Sequence, residues 1–387
     1  MPKLEPEIEA FARIKVVGVG GSGTNAINHM VRSNVRGVEF VVINTDVQDL
    51  HHSLAKKKVH IGKNLTRGLG TGMNPELGRK AAEESMEEVH EALKGADMIF
   101  LACGTGGGTG SGATAPIAKA AKDQGILTVA VVTKPFFFEG NQRMQIADRA
   151  IEEIRKEVDA LIVIPNDRLL ALIDKNTTFA SAFATCDEIL RQAVEGISDL
   201  ITMEGVINVD FADIRAVMAN AGPALMGIGR SAGENRAVEA ARLAINSPLL
   251  DISIEGAKGV LFAIAGDQKM TMFEIQEAAK VIIDSIDPNA KVIFGAFRDE
   301  KLNKNEIKVT VIASGFPENF KRKPAITPEA KIGGEKGGGK TEKEKEKEPA
   351  TAAKVIKPVS APAAEPTTEE DDDWSSIPAF LRRAKQK

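Results

Sequence analysis

The sequence predicts an α/β protein: a parallel sheet with helices on both faces, a long helix, a smaller α/β domain and a disordered tail. Three observations carry this. Apolar segments of strand length alternate with helical patterns from residue 13 to residue 164, and three of the strands run into glycine-rich turns. Residues 179–203 keep one helical pattern interrupted only by Gly196. After Pro317 the apolar periodicity stops and mixed charge takes over.

Residues 1–12 are expected to form a flexible N-terminus. From Arg13, Ile14-Lys15-Val16-Val17 enters the turn Gly18-Val19-Gly20-Gly21-Ser22-Gly23-Thr24-Asn25, and Ala26 to Val31 continues with helical spacing. Gly18, Gly20 and Gly23 match Gly-x-Gly-x-x-Gly between strand and helix, and Asp46 follows Gly23 by about 23 residues. Alone, that fingerprint supports an NAD(P)-dependent oxidoreductase, which is the alternative function. The order continues as a strand over 38–44, a strand near 58–61, the turn Gly68-Leu69-Gly70-Thr71-Gly72, a helix over 75–93 and a strand over 97–102.

Residues 102–112, Ala-Cys-Gly-Thr-Gly-Gly-Gly-Thr-Gly-Ser-Gly, stand between that strand and a helix over 113–123. A turn with almost no side chains lets backbone N–H groups approach an anion, and the helix dipole adds positive potential there. Six ordered glycines forfeit too much backbone entropy for a plain loop. No Lys follows them, so backbone amides and hydroxyls must hold the phosphates rather than a P-loop lysine. A dinucleotide pyrophosphate needs one such turn. Three turns converging beyond the strand ends suit a longer phosphate chain.

A strand over 126–133, a helix over 142–158 and a strand over 160–164 complete this domain, expected to span 13–178. Glu139 and Arg143 place a carboxylate and a guanidinium one helical turn apart, suited either to a sugar hydroxyl and a purine edge or to a surface ion pair. Asn166 follows the last strand, where its amide can read a base or cap a helix. The helix over 179–203 spans roughly 38 Å at 1.5 Å per residue, long enough to bridge two domains. The second α/β domain is expected over 204–316: residues 207–213 opening a helix, then strands at 224–228, 259–265, 291–297 and 306–313 and helices at 234–246 and 272–285.

Residues 317–370 read as a disordered linker with a root-mean-square span of roughly 40 Å. Residues 371–387 carry the only Trp of the chain, Trp374, and the apolar anchors Ile377, Phe380 and Leu381 between an acidic and a basic flank. They read as a short binding peptide on a tether. At 387 residues the chain exceeds the size of a single core. Its net charge of −4 gives no general pull toward nucleic acid or anionic membrane. Two Cys, no signal peptide and no apolar run of spanning length predict a reduced, cytoplasmic protein without direct membrane insertion. The five His show no ligand spacing, so no metal site is expected among them.

Taken in order, these motifs resemble the FtsZ family, the prokaryotic tubulin-like cell-division GTPases. The resemblance rests on residues 18–25, Asn44-Thr45-Asp46, residues 106–112, Pro135 to Gly140 with Arg143, Asn166, Phe183 with Asp187, Asn208 to Asp213, and Ile377 to Arg383. It implies a Rossmann-like GTPase domain joined by a long central helix to a smaller C-terminal domain. It implies that Gly20, Gly21, Ser22, Gly23, Thr24, Asn25, Thr71, Gly72, Gly106, Gly107, Gly108, Thr109 and Gly110 hold the phosphates, with Asn44 and Gly104 in the same site. Glu139 and Arg143 then contact sugar and base, Asn166 and Asp187 read guanine, and Phe183 stacks on it. A carboxylate at 187 suits the guanine N1–H and N2–H₂ donors and favours GTP over ATP.

The resemblance further implies GTP/GDP as ligand, with Mg²⁺ bound through phosphates and water. It implies head-to-tail self-assembly into filaments at the mid-cell division site, and Asn208, Asp210 and Asp213 acting on the nucleotide of the next subunit. Asp187 to Thr202 alone is roughly 22 Å of helix, so the two sets of residues do not meet on one nucleotide within one subunit. The bland alternative is that Asp210 caps the following helix and Asp213 sits in its first turn. By the same resemblance Ile377, Pro378, Phe380, Leu381, Arg382 and Arg383 bind membrane adaptors of the FtsA, SepF or ZipA type. Two residues depart from the family pattern: Cys103 stands where Ala or Gly is usual, and Ser111 replaces Thr. Neither removes a donor, and Cys103 is expected to make the site sensitive to thiol reagents.

Overall fold

The computed structural model describes residues 12–169, 177–203, 205–247, 254–299 and 301–316. The expected N-terminal leader (all but residue 12), the linker over 317–370 and the terminal peptide over 371–387 lie outside the described residues.

In the first half β1 (Ile14–Val19), β2 (Val38–Asn44), β3 (Lys57–His60), β4 (Met98–Gly104), β5 (Leu127–Lys134) and β6 (Ala160–Pro165) are parallel, in the order β3-β2-β1-β4-β5-β6. β1 is buried throughout and β4 for all but its last residue, as near-continuous apolar strands covered by helices on both faces must be. The connecting helices are α1 (Gly20–Arg32), α2 (Val47–His52), α3 (Lys63–Thr66), α4 (Pro75–Glu84), α5 (Met86–Leu93), α6 (Thr109–Asp123), α7 (Asn141–Glu157) and α8 (Asn166–Leu169). Ala26, Ile27 and Met30 of α1 pack on one face of the sheet. Ala81, Val89, Ile117 and Ile154, from α4 to α7, pack on the other.

The single helix predicted over 75–93 is two. It breaks at Ser85 (φ −110°, ψ 28°), whose hydroxyl accepts the Gly62 N–H at 3.2 Å instead of facing solvent. The long helix is continuous: α9 (Phe179–Thr202) is capped by Thr178 and buries Ile189, Leu190, Ala193, Val194 and Ile197. At Gly196 a Cβ would lie 2.8 Å from Thr310 Cγ2, so the missing side chain seats the helix against the second half.

That half contains β7 (Gly205–Ile207), α10 (Phe211–Met218), β8 (Gly222–Ala232), α11 (Arg236–Ile245), β9 (Gly259–Gly266), α12 (Met272–Ile283), β10 (Lys291–Arg298) and β11 (Glu306–Ser314). β11 is antiparallel to both β8 and β9, β10 is parallel to β9, and β7 pairs antiparallel with β10. The short strand β7 occupies part of the segment expected to open a helix. The boundary expected at 203/204 is not a gap in the sheet. β6 pairs with β8 through Ala160↔Gly222, Leu161↔Pro223 and Ile162↔Ala224, giving one sheet of 11 strands. The core under α9 takes side chains from both halves, from Ile14 to Ile312.

Candidate functional site

The strand order reverses between β1 and β4, the place where sheets of this kind bind ligands beyond the strand ends. The two strands finish level, with Gly18 opposite Ala102 and Val19 opposite Cys103, so the turns that follow them are neighbours. α1 begins directly at Gly20 and α6 at Thr109. Neither helix has a side-chain cap or an acidic residue in its first turn. First-turn N–H groups have no partner within a helix, and here two such ends face one cavity. Gly20 makes this approach possible: its φ is +72°, and a Cβ there would lie 3.0 Å from the Gly110 nitrogen. Gly106 takes φ +95° and donates its N–H to Ser111 Oγ at 2.9 Å. No atom lies within 4 Å of the place a Gly107 side chain would take, so that backbone is bare to the cavity.

The cavity holds about 430 Å³. Hydroxyls line the end where α6 begins: Thr109 Oγ1 lies 2.7 Å from Thr45 Oγ1 and 3.2 Å from Thr71 Oγ1. Asn44 anchors this wall, since its carbonyl accepts the Thr45 N–H at 2.8 Å and its amide donates to Asp49 at 3.4 Å. Asp46, the acid that a dinucleotide fold would turn to a ribose, instead caps α2 by accepting from Gln48 and Asp49 N–H. The glycine turns at 70–72 and 104–110 also line the cavity, which an oxidoreductase pyrophosphate leaves unexplained.

At the other end Arg143 donates to Glu139 at 3.3 Å, and Glu139 accepts the Phe136 N–H at 2.9 Å. Burial pushes the Glu139 carboxyl up, against those two groups that favour its charged form. Asn166 is buried, and its Oδ1 has no partner among the described residues. Phe183 meets Phe136 edge to face at 5.3 Å and also lines the cavity. Asp187 presents part of its surface to the cavity, and burial of the rest pushes its carboxyl up to about 7, with His29 opposing. A buried acceptor without a partner, a desolvated carboxyl and an aromatic face suit a planar base carrying N–H donors. Uncapped helix starts and hydroxyls suit phosphates.

The cavity thus brings together Gly21, Ser22, Asn25, Asn44, Thr71, Gly72, Gly104, Gly107, Gly108, Thr109, Gly110, Glu139, Arg143, Asn166, Phe183 and Asp187. Four predicted residues stand behind its wall: Gly20 and Gly106 shape the turns, Thr24 donates to the Gly20 carbonyl at 2.9 Å, and Gly23 packs against Gly18 and Ala102. Asp49 and Thr133 line it without having been singled out, and Thr45, Thr105 and Pro135 line it from within motifs already quoted. Asp49 stands three residues after Asp46 and Thr133 two before Pro135, and that adjacency was the available signal. Cys103 is buried behind the sheet and burial pushes its thiol up to about 11, so it does not expose the site to thiol reagents. The thiol in the wall is Cys186, also pushed upward by burial and donating to the Ala182 carbonyl at 3.4 Å.

Asn208, Asp210 and Asp213 do not line this cavity. They are exposed beyond the far end of α9, where Asn208 accepts the Gly205 N–H at 2.7 Å and Asp210 caps α10 by accepting the Asp213 N–H at 2.8 Å. The capping reading of Asp210 is therefore realised, and the Asp213 carboxylate remains exposed.

A profile of the Tubulin/FtsZ family, GTPase domain, matches residues 13–174, and one of the FtsZ family, C-terminal domain, matches residues 222–317. A solved FtsZ dimer from M. jannaschii is 46% identical, with TM-score 0.75 over 79% of this chain and 88% of that one. A point-mutant FtsZ structure from the same organism is also 46% identical, with TM-score 0.77 over 80% of this chain and 92% of that one. CetZ2 from Haloferax volcanii, solved as a GTPgS-bound protofilament, shares the fold at 24% identity, with TM-score 0.68 over 80% of this chain and 95% of that one.

Proposed function

The chain belongs to the FtsZ family of tubulin-like GTPases, and from that premise we propose that its cavity binds one GTP and that the next subunit of a head-to-tail filament completes the active site. The protein is a self-assembling GTPase of cell division. The oxidoreductase alternative is set aside by the family match and by the use of Asp46 as a helix cap.

One observation carries the two-subunit reading. The cavity gathers binding groups for base, sugar and phosphate, while the exposed carboxylates of the family motif lie outside it, beyond a helix of 24 residues. Amides of α1 and α6 bind the phosphate chain. Mg²⁺, held through the phosphates and water, would neutralise charge that develops there. Asp213 of the neighbouring subunit, placed by the Asp210 cap, orients the attacking water with Asn208 beside it. Large apolar residues are exposed next to the cavity (Leu69, Phe137) and next to Asn208 (Val206), as surfaces that stack on each other would be. Repeating one heterologous contact gives a filament.

The expected location is the cytoplasmic side of the division site. No helix among the described residues is long and apolar enough to cross a membrane. Residues 371–387, acting through Ile377, Pro378, Phe380, Leu381, Arg382 and Arg383, dock an adaptor of the FtsA, SepF or ZipA type. The domain limits 13–178, 179–203 and 204–316 describe the nucleotide half, the central helix and the half that carries the water-orienting residues. The test is phosphate release per molecule measured across protein concentration, with pelleting in GTP and in GDP. Specific activity should rise as filaments form. A constant specific activity through the assembly threshold would place the whole active site in one subunit and refute the proposal.

A further inference from the structure

The nucleotide cavity is built by two helices with different tasks: α1 contributes its N-terminal amides to the phosphate end, and α9 brings Phe183 and Asp187 to the base end. A side-chain hydrogen bond between them lies just outside the cavity. His29 Nε2 of α1 is 3.0 Å from Glu188 Oε2 of α9. Spacing on both helices makes this contact geometrically informative. His29 is four residues after Asn25, so it lies one turn beyond a cavity-lining residue on the same face. Glu188 directly follows Asp187, so a rotation or slide of α9 that moves one moves the other.

Glu188 is also gripped from its own helix, accepting from Arg191 Nε at 2.7 Å, Arg191 Nη2 at 2.6 Å and Gln192 Nε2 at 2.6 Å. With so many donors its carboxyl is held far below the usual range despite partial burial. It is therefore a fixed anion on α9, and His29 is the group on α1 that takes hold of it. Arg191 continues the chain to Glu195, which Lys301 reaches from the second half at 3.0 Å.

We propose that His29 is a positioning residue for base recognition: through Glu188 it fixes the turn of α9 that sets Asp187 against the base edge. The proposal rests on the reading above that Asp187 accepts the guanine N–H donors. The pull that His29 exerts on the Asp187 carboxyl, opposing the effect of burial, acts in the same direction. Asp187 as a carboxylate can accept two donors from guanine. Hypoxanthine, which lacks the 2-amino group, offers one fewer. A misplaced Asp187 should therefore lose preference for GTP over ITP before it loses nucleotide binding, because the phosphate end is untouched.

The experiment measures dissociation constants for GTP and ITP below the assembly threshold, in full-length protein and in His29→Leu, His29→Arg and Asp187→Asn. His29→Leu keeps bulk and helix propensity, removes the donor, and leaves Glu188 paired with Arg191 and Gln192, so no buried anion is orphaned. The expected loss in its GTP-to-ITP preference is roughly threefold to tenfold, the range for a hydrogen bond to a charged group acting at one remove. His29→Arg, which can still donate to Glu188, should keep most of that preference. An unchanged ratio in His29→Leu, an equal loss for GTP and ITP, or an equal loss of preference in His29→Arg overturns the assignment. Asp187→Asn separates the two levels: if it too leaves the ratio unchanged, Asp187 does not read the base, and the underlying reading fails instead.

Discussion

Gly107→Val isolates the phosphate cradle from the fold. Gly107 does not have a left-handed φ, and no atom lies within 4 Å of its missing side chain, so the folded chain accepts a Cβ without strain. Replacing Gly at such a position gains about 0.4–1 kcal/mol through the unfolded state. For a chain of this size that is a rise in Tm of no more than about 3 °C. The new isopropyl group points into the cavity and keeps the phosphates from the amides of the turn. Losing two hydrogen bonds to a charged group, at about 1.5–3 kcal/mol each, gives about 3–6 kcal/mol. That converts to about a 10²- to 10⁴-fold weaker Kd for GTP. Titration calorimetry reads the affinity, and a thermal melt of the nucleotide-free protein reads the fold. Gly112→Ala is the converse. Its φ is also ordinary, but its Cβ lands on the Pro75 carbonyl at the contact between α4 and α6, outside the cavity wall. It should cost about 1–3 kcal/mol of stability. A folded Gly107→Val protein that binds GTP within tenfold of wild type, or one that melts more than about 5 °C lower, would refute the placement of this turn.

Asp213→Ala should lower turnover by about 10²- to 10³-fold with GTP affinity within about twofold, because in the proposed filament the carboxylate acts on a neighbour's nucleotide. Mixing it with Gly107→Val should restore part of the activity in stopped-flow phosphate release, and no restoration would count against the shared site. Asp187 titrates near 7 in the free protein and must be ionised to accept guanine donors, so GTP affinity should hold above pH 7 and fall by up to about tenfold per unit below it. Asp187→Asn should flatten that profile. Asp199 is pushed up to about 7 by burial, with Glu195 and Asp299 adding to it. Its folded pKa is above its unfolded one, so it stabilises the fold at pH 4 and loses that contribution as pH rises through 7. Asp199→Asn should raise Tm at pH 8 and leave it nearly unchanged at pH 4.5, as read by thermal melts. Deleting residues 371–387 should leave GTP hydrolysis and pelleting intact and abolish recruitment to adaptor-bearing vesicles, as read by flotation.

The alternation in the first half was legible because each strand is a short apolar run and each turn is marked by glycine. Buried strands such as Met98–Gly104 and the uninterrupted pattern of Phe179–Thr202 allow one reading. What escaped was set by contacts distant in sequence. Ser85 breaks a helix because of Gly62, 23 residues earlier, and β7 exists because β10 offers an edge. The joining of β6 to β8 likewise follows from pairing and not from the pattern of either strand. In the site, motif residues were legible by type and spacing. Asp49 and Thr133 stand outside every motif, and only the converging strand ends show them as wall residues. Cys103 looked exposed because it adjoins a glycine turn, but strand alternation points its thiol into the core.

The three-pair seam between β6 and β8 also bears on how long one sheet edge waits for its partner during synthesis. β6 ends at Pro165, and the residue that closes its free side, Ala224, emerges 59 positions later (224 − 165). At elongation rates of about 5–20 residues per second, β6 waits as an open sheet edge for roughly 3 to 12 s. Such an edge can recruit a strand from another nascent chain. Pro165, the last residue of β6, has no N–H to donate, which limits foreign pairing at that end of the edge. The pairs from Ala160 to Ile162 with Gly222 to Ala224 are what close that edge once β8 arrives.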